Sequence, residues 1–143
     1  MNTKTINKLL KNEKCYIGTY SRDMLPNQIK ENQFLIVNTD TSDRQGEHWV
    51  AIIILSDGKG EYFDSYGLPP LHNEFLDFLD YNCPNGWKFN EVTLQCLSCI
   101  TCGHYCVAYI KFRCLGHSLS EFVSLFGKDL VFNDELINLY IKI

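Results

Sequence analysis

The 143-residue sequence contains no apolar run approaching the length of a membrane span, and its longest strong one reaches only from Trp49 to Leu55. The Lys-containing first residues do not lead into the apolar stretch of a secretory signal. No membrane partner is expected, and residence is expected to be intracellular. Basic residues are also short: 13 Lys and Arg stand against 17 Asp and Glu, a net charge of −4. A protein that grips nucleic acid by a broad basic face needs the opposite balance, because phosphates are neutralised by Lys and Arg. Repeats, low-complexity tracts and linker-like segments are lacking as well. Residues 1–143 are therefore taken as a single domain, long enough to bury one core without staples.

Cysteine is what the chain does have. There are seven, an odd number, and five fall between Cys96 and Cys114, unlike the spread-out framework of a small secreted domain. Reduced thiols are expected. LQCLSCITCGHYC, from Leu94 to Cys106, has the spacing C-x2-C-x2-C-x3-C that ferredoxins use. However, a second cluster motif is missing, and Val107 stands where the usual run has proline. A zinc site drawing on His104 or His117 is the other metal reading. Neither suits a segment that reads as buried helix from Cys102 onward, so no metal is expected. Cys96, Cys99, Cys106 and Cys114 are read as small buried hydrophobes.

The apolar pattern predicts an α+β fold, a mixed sheet packed on a central helix. TINKLLKNE at 4–12 has helical spacing; QFLIVNT at 33–39, HWVAIIIL at 48–55 and EYFDS at 61–65 have the β-branched and aromatic content of strands, with turn formers at 56–60 between the last two. A helix is predicted after Pro69 and Pro70, with Leu71, Phe75, Phe78 and Leu79 on one side, and a strand over 88–95. Residues 102–115 are apolar nearly all round, the mark of a buried helix. Ser118 to Glu121 matches a capping box for a helix ending at Gly127, and Asn133 or Asp134 is the candidate cap of the last one.

Among the cysteines, Cys102 has the position of a nucleophile: a helix start, where the dipole favours thiolate, followed by Gly103, which leaves the backbone N–H groups approachable. His48 opens a buried strand and Asp64 ends its antiparallel partner, so the two come side by side. That is the nucleophile, base and orienter arrangement of a triad. Gln95 would add a side-chain amide to the oxyanion hole. Trp49 either fills the core or narrows a substrate channel. Asp40, Asp43 and Glu47 read as a solvated loop, and Tyr66 and Gly67 as the turn after the Asp64 strand.

The ordered set H-W at 48–49, F-D-S-Y-G at 63–67, Gln95 seven residues before Cys102, and C-G at 102–103 resembles the adenovirus-type (adenain-like) cysteine proteases of adenoviruses and Polinton-type elements. More distantly it is similar to the Ulp1-like SUMO proteases that share their fold. Y-I-G-T-Y at 16–20 and I-V-N-T at 36–39 extend the resemblance, which covers roughly residues 4–115. It implies a papain-like core with Cys102 as nucleophile, His48 as general base and Asp64 as third member. Gln95 and the backbone at Cys102 and Gly103 would form the oxyanion hole. The implied activity is cleavage of viral precursor proteins after small residues, often glycine, by a monomer in the host nucleus, cytoplasm or virion. An activating peptide or DNA is implied too. The chain departs from the adenoviral pattern in having Asp64 where Glu is common, which agrees with the Ulp1-like enzymes, and in its acidic balance, which tells against DNA. Cys83 lies near the family's peptide-linking cysteine, with a spacing that differs by about a residue. Two rival readings use the same residues differently: a ubiquitin-like-protein isopeptidase, and a degenerate, non-catalytic binding module.

Overall fold

The computed structural model describes residues 1–142. In chain order its elements are helix α1 (Thr3–Leu10), strands β1 (Tyr16–Ser21), β2 (Phe34–Asn38), β3 (Trp49–Ile54) and β4 (Gly60–Phe63), helix α2 (Asn73–Asn82), strand β5 (Trp87–Phe89), and helices α3 (Cys102–Cys114), α4 (Leu119–Val123) and α5 (Leu130–Tyr140). The strands form one mixed sheet in the order β1-β2-β3-β4-β5. β3 is antiparallel to both of its neighbours, while the outer strands run parallel to theirs. The fold is thus the α+β arrangement expected from the sequence.

The continuous apolar run of β3 is explained by cover on both faces. Ala51 and Ile53 point with Phe63 into a cluster shared with α1, α3, α4 and α5, while Val50, Ile52 and Ile54 point with Tyr62 toward Phe75, Phe78 and Leu79 of α2. Side chains alternate across the sheet, so both halves of the run are buried. Along α3, every residue from Tyr105 to Ile110 is buried. Phe63 stacks on Tyr109 with ring centroids 4.6 Å apart, and Phe122 of α4 meets Phe63 edge-on. Among the described residues, no helix is long and apolar enough to cross a membrane.

Several boundaries differ from the sequence reading. β1 went unrecognised as a strand: it lies at the sheet edge, its register is broken between Tyr16 and Gly18, and none of its residues is fully buried. α2 starts at Asn73 rather than at the prolines, and Leu71 is 71% exposed, off the buried face. The strand predicted over 88–95 stops at Phe89, because Asn90 turns its side chain back onto the Asp64 backbone and Glu91 takes a positive φ of 56°. The capping box at Ser118 and Glu121 is present, but α4 ends at Val123. The cap of α5 is Asp129, whose carboxylate accepts the Phe132 N–H at 3.1 Å. Asn133 and Asp134 are instead buried inside that helix.

Candidate active site

The site grows from the β3–β4 hairpin. Ala51 pairs with Phe63, so the residues just before β3 and just after β4 emerge together at one edge. These are His48 and Asp64, with Nε2 of the imidazole 2.7 Å from Oδ1 of the carboxylate. Asp64 is 5% exposed and held from three directions. The same Oδ1 accepts the Tyr66 N–H at 2.8 Å, its own N–H donates to Asn90 Oδ1 at 3.0 Å, and its carbonyl accepts from Asn90 Nδ2 at 2.7 Å. A turn closed by Gly67 N–H on the Asp64 carbonyl follows. Gly67 has φ +72°, and a Cβ there would meet the backbone of Val92 and Thr93 at 2.6–2.8 Å, so glycine is required. The turn lays the Tyr66 ring over His48, centroids 4.6 Å apart and planes 15° from parallel.

Cys102 is the first residue of α3, and its thiol lies close enough to His48 and to the backbone N–H groups of Trp49 and Gly103 for all three to lower its pKa. Because Nε2 is engaged by Asp64, Nδ1 is the imidazole nitrogen left for sulfur. Burial alone would raise the thiol's pKa; the His48 hydrogen bond, the Trp49 N–H, the His48 charge and the Gly103 N–H together hold it below the ordinary value. For His48 burial pulls the other way, favouring the neutral ring, but the hydrogen bonds and charges of Asp64 and Cys102 raise its pKa to about 9. Both shifts favour a thiolate beside an imidazolium, and the start of α3 adds its dipole to the same side.

Trp49 stands between the core and the cleft. It is 9% exposed and belongs to the core cluster, yet it also lines the cleft over Cys102. Its indole N–H donates to the Met1 carbonyl at 2.9 Å. Trp49 and the Met1 side chain crowd Gly103, where a Cβ would stand 3.0–3.2 Å from them. Gln95 is fully buried, not in a strand but in the loop leading to α3. One amide N–H goes to the Cys99 carbonyl at 2.8 Å, and its Oε1 accepts the hydroxyl of Ser65, the neighbour of Asp64. The cleft in front has a volume of about 580 Å³ and is bordered by His48, Trp49, Tyr66, Ile100 and Cys102, with Asn38, Asp40 and Glu47 also reaching it.

The remaining candidates separate cleanly. Cys106 is buried as expected. Cys96 and Cys99, read as buried hydrophobes, are half-buried in a polar loop. Cys83 is 3% exposed, wedged under Gly60, with its thiol pushed up to about 11 by burial. It therefore presents no surface thiol of the kind a peptide-linking cysteine needs. His104 is half-buried with Nδ1 unpaired, and burial holds its pKa down. His117 faces Glu121 at 3.4 Å. Asn90, Ser65 and Tyr66 were missed as site residues. Asn90 was hidden inside an apparent strand and Tyr66 inside a turn signal, although both lie within a few residues of the motifs that pointed to Asp64 and Gln95.

A mixed sheet packed on a central helix that begins at a cysteine, with histidine and aspartate delivered by the adjoining hairpin, is the α+β arrangement expected from the sequence. Solved structures agree. The chain is similar to the ASFV pS273R protease, with a TM-score of 0.65 and 18% identity over 96% of this chain and 64% of that one. A selenomethionine structure of the same protease gives 0.56 and 23% over 77% and 44%. The central domain of the uncharacterized Lpg1148 protein from Legionella pneumophila gives 0.54 and 14% over 98% and 92%. The chain thus spans less than two thirds of the pS273R protease, and at these identities the likeness is one of fold. No protein-family profile and no curated protein sequence matches it.

Proposed function

We propose that the chain is a cysteine endopeptidase of the viral or mobile-element kind that its motifs resemble. The observation that carries this reading is the Asp64–His48 hydrogen bond placed beside Cys102, open to a cleft, with the pKa shifts of His48 and Cys102 both toward the ion pair. In the proposed cycle the Cys102 thiolate attacks a peptide carbonyl. The oxyanion is held by the backbone N–H groups of Cys102 and Gly103 and by the second amide N–H of Gln95. His48 then gives its proton to the leaving amine, takes one from water, and the hydroxide so formed releases the acyl group from sulfur. Asp64 keeps the ring oriented and the imidazolium stabilised, and no step needs a metal. The Trp49 and Tyr66 rings flanking the pair favour small residues beside the scissile bond. Viral precursor proteins are the substrate class that the resemblance and the pS273R protease fold make the first to try.

Alkylation by iodoacetamide at about pH 6, mapped by peptide mass spectrometry, tests the reading, since an ordinary thiol is almost wholly protonated there. Selective labelling of Cys102 that disappears in His48→Ala is expected. If Cys102 reacts no faster than Cys96 or Cys99, either the pair forms only with an activating partner or the chain is a binding module. Faster turnover of a conjugate carrying an exposed Gly-Gly tail than of short peptides would reassign it as an isopeptidase.

A further inference from the structure

Between Gln95 and Cys102 the chain makes a feature that the proposed cycle does not use. The Cys99 N–H donates to the Cys96 carbonyl at 3.1 Å, a turn that folds the two thiols of C-x2-C to one side. Asp134 reaches this turn from α5. Its Oδ2 accepts the Cys96 N–H at 3.0 Å, and its Oδ1 accepts the hydroxyls of Thr101 at 2.8 Å and Tyr105 at 2.9 Å. One ligand atom from each of Cys96, Cys99 and Asp134 lies within 4.8 Å of the other two. Asp134 is 4% exposed, and among the described residues no Lys, Arg or His pairs with it. A buried carboxylate without a cationic partner, beside two thiols, is a charge distribution that a divalent ion completes.

The geometry points to a zinc site formed by Cys96 Sγ, Cys99 Sγ and an Asp134 carboxylate oxygen, with water in the fourth tetrahedral position. Binding releases the two thiol protons, so that a zinc ion, two thiolates and one carboxylate carry a net charge of −1. The Thr101 and Tyr105 hydroxyls orient the carboxylate from behind, as outer-shell donors do. On binding, the Cys96 and Cys99 thiol protons leave to solvent and the two sulfurs take the metal in their place. The ion would stiffen the loop that joins the proposed oxyanion donor to the proposed nucleophile, because the Cys99 carbonyl is the acceptor of Gln95 Nε2.

The test separates this site from adventitious zinc at Cys102 and His48. Reduced, metal-free protein is titrated with zinc against a chromophoric chelator and, in parallel, with cobalt. Both titrations are run on the wild type and in the Cys102→Ser background, and neither reads activity. One equivalent of metal with a thiolate-to-cobalt charge-transfer band and tetrahedral d–d bands is expected. Thr101→Ala should weaken binding about 10- to 100-fold, and Cys99→Ser should abolish the charge-transfer band while circular dichroism stays native. Zinc bound by the wild type but lost in Cys102→Ser and retained in Cys96→Ser/Cys99→Ser would overturn the proposal. So would a Cys96–Cys99 disulfide that forms in air while the reduced chain binds no metal. Alkylation of Cys102 is independent of either result, so the site and the protease reading fail separately.

Discussion

His48 has Asp64 at Nε2, Tyr66 stacked on its face and Cys102 close enough to raise its pKa. A pair poised in this way is active only between the two titrations. Below the lowered pKa of Cys102 sulfur is protonated, and above about 9 the imidazolium is lost, so kcat/KM should follow a bell whose alkaline limb lies near 9. Asp64→Asn removes the carboxylate's hydrogen bond and charge, the two effects of Asp64 that raise His48. The alkaline limb should therefore move below 9, and kcat/KM should fall by about 10²–10⁴-fold, as when the orienting acid of a triad is neutralised. A stopped assay across the pH range reads both effects, and an unmoved limb would mean that Asp64 only packs. At this scale the sequence was most legible. Residue order let His48 and Asp64 be paired, because a strand pair fixes which ends meet. What it concealed were residues acting through backbone contacts, Asn90 on Asp64 and Ser65 on Gln95, for which no periodic signal exists.

Between elements, the tie that matters most to Cys102 is the one securing α3 against the sheet. Glu61 of β4 faces α3 with almost no exposure, accepts from the Tyr109 hydroxyl, and accepts Arg113 Nη2 at 3.2 Å. Arg113→Met leaves this carboxylate buried with one neutral donor and should cost about 3–5 kcal/mol, the range for removing one member of a buried pair. Urea midpoints measure the loss. The double change Glu61→Gln/Arg113→Met should recover most of it, whereas an additive double mutant would show that the two side chains act separately. Elements with dense local patterning were read correctly from the sequence: β2, β3 and the middle of α3 have uninterrupted apolar runs, and β4 is set off by the turn formers before it. The failures are those where a tertiary contact outweighs the pattern. Asn90 truncates β5 because the Asp64 backbone captures it, and Asp134 sits mid-helix because the Cys96 turn and the Thr101 and Tyr105 hydroxyls engage it.

For the molecule as a whole, the sheet is covered on both faces and the cleft opens at the edge where β3 begins, β4 ends and α3 starts. Long-range electrostatics acts on whatever approaches that edge. Asp40 and Glu47 reach the cleft together with Arg44 and His48, and the net charge of the chain is −4. Duplex DNA binds by exchanging condensed counterions for Lys and Arg, with an affinity that rises steeply as salt falls. A chain with 13 basic and 17 acidic residues has no surplus to drive that exchange. DNA should therefore leave peptide hydrolysis within about twofold of its basal rate even at low ionic strength, where such contacts are strongest. Rates measured with and without duplex DNA over a salt series check this. Tenfold stimulation that fades as salt is added would show that a local basic patch outweighs the overall charge, and would make DNA an activator in the manner that the adenoviral resemblance implies.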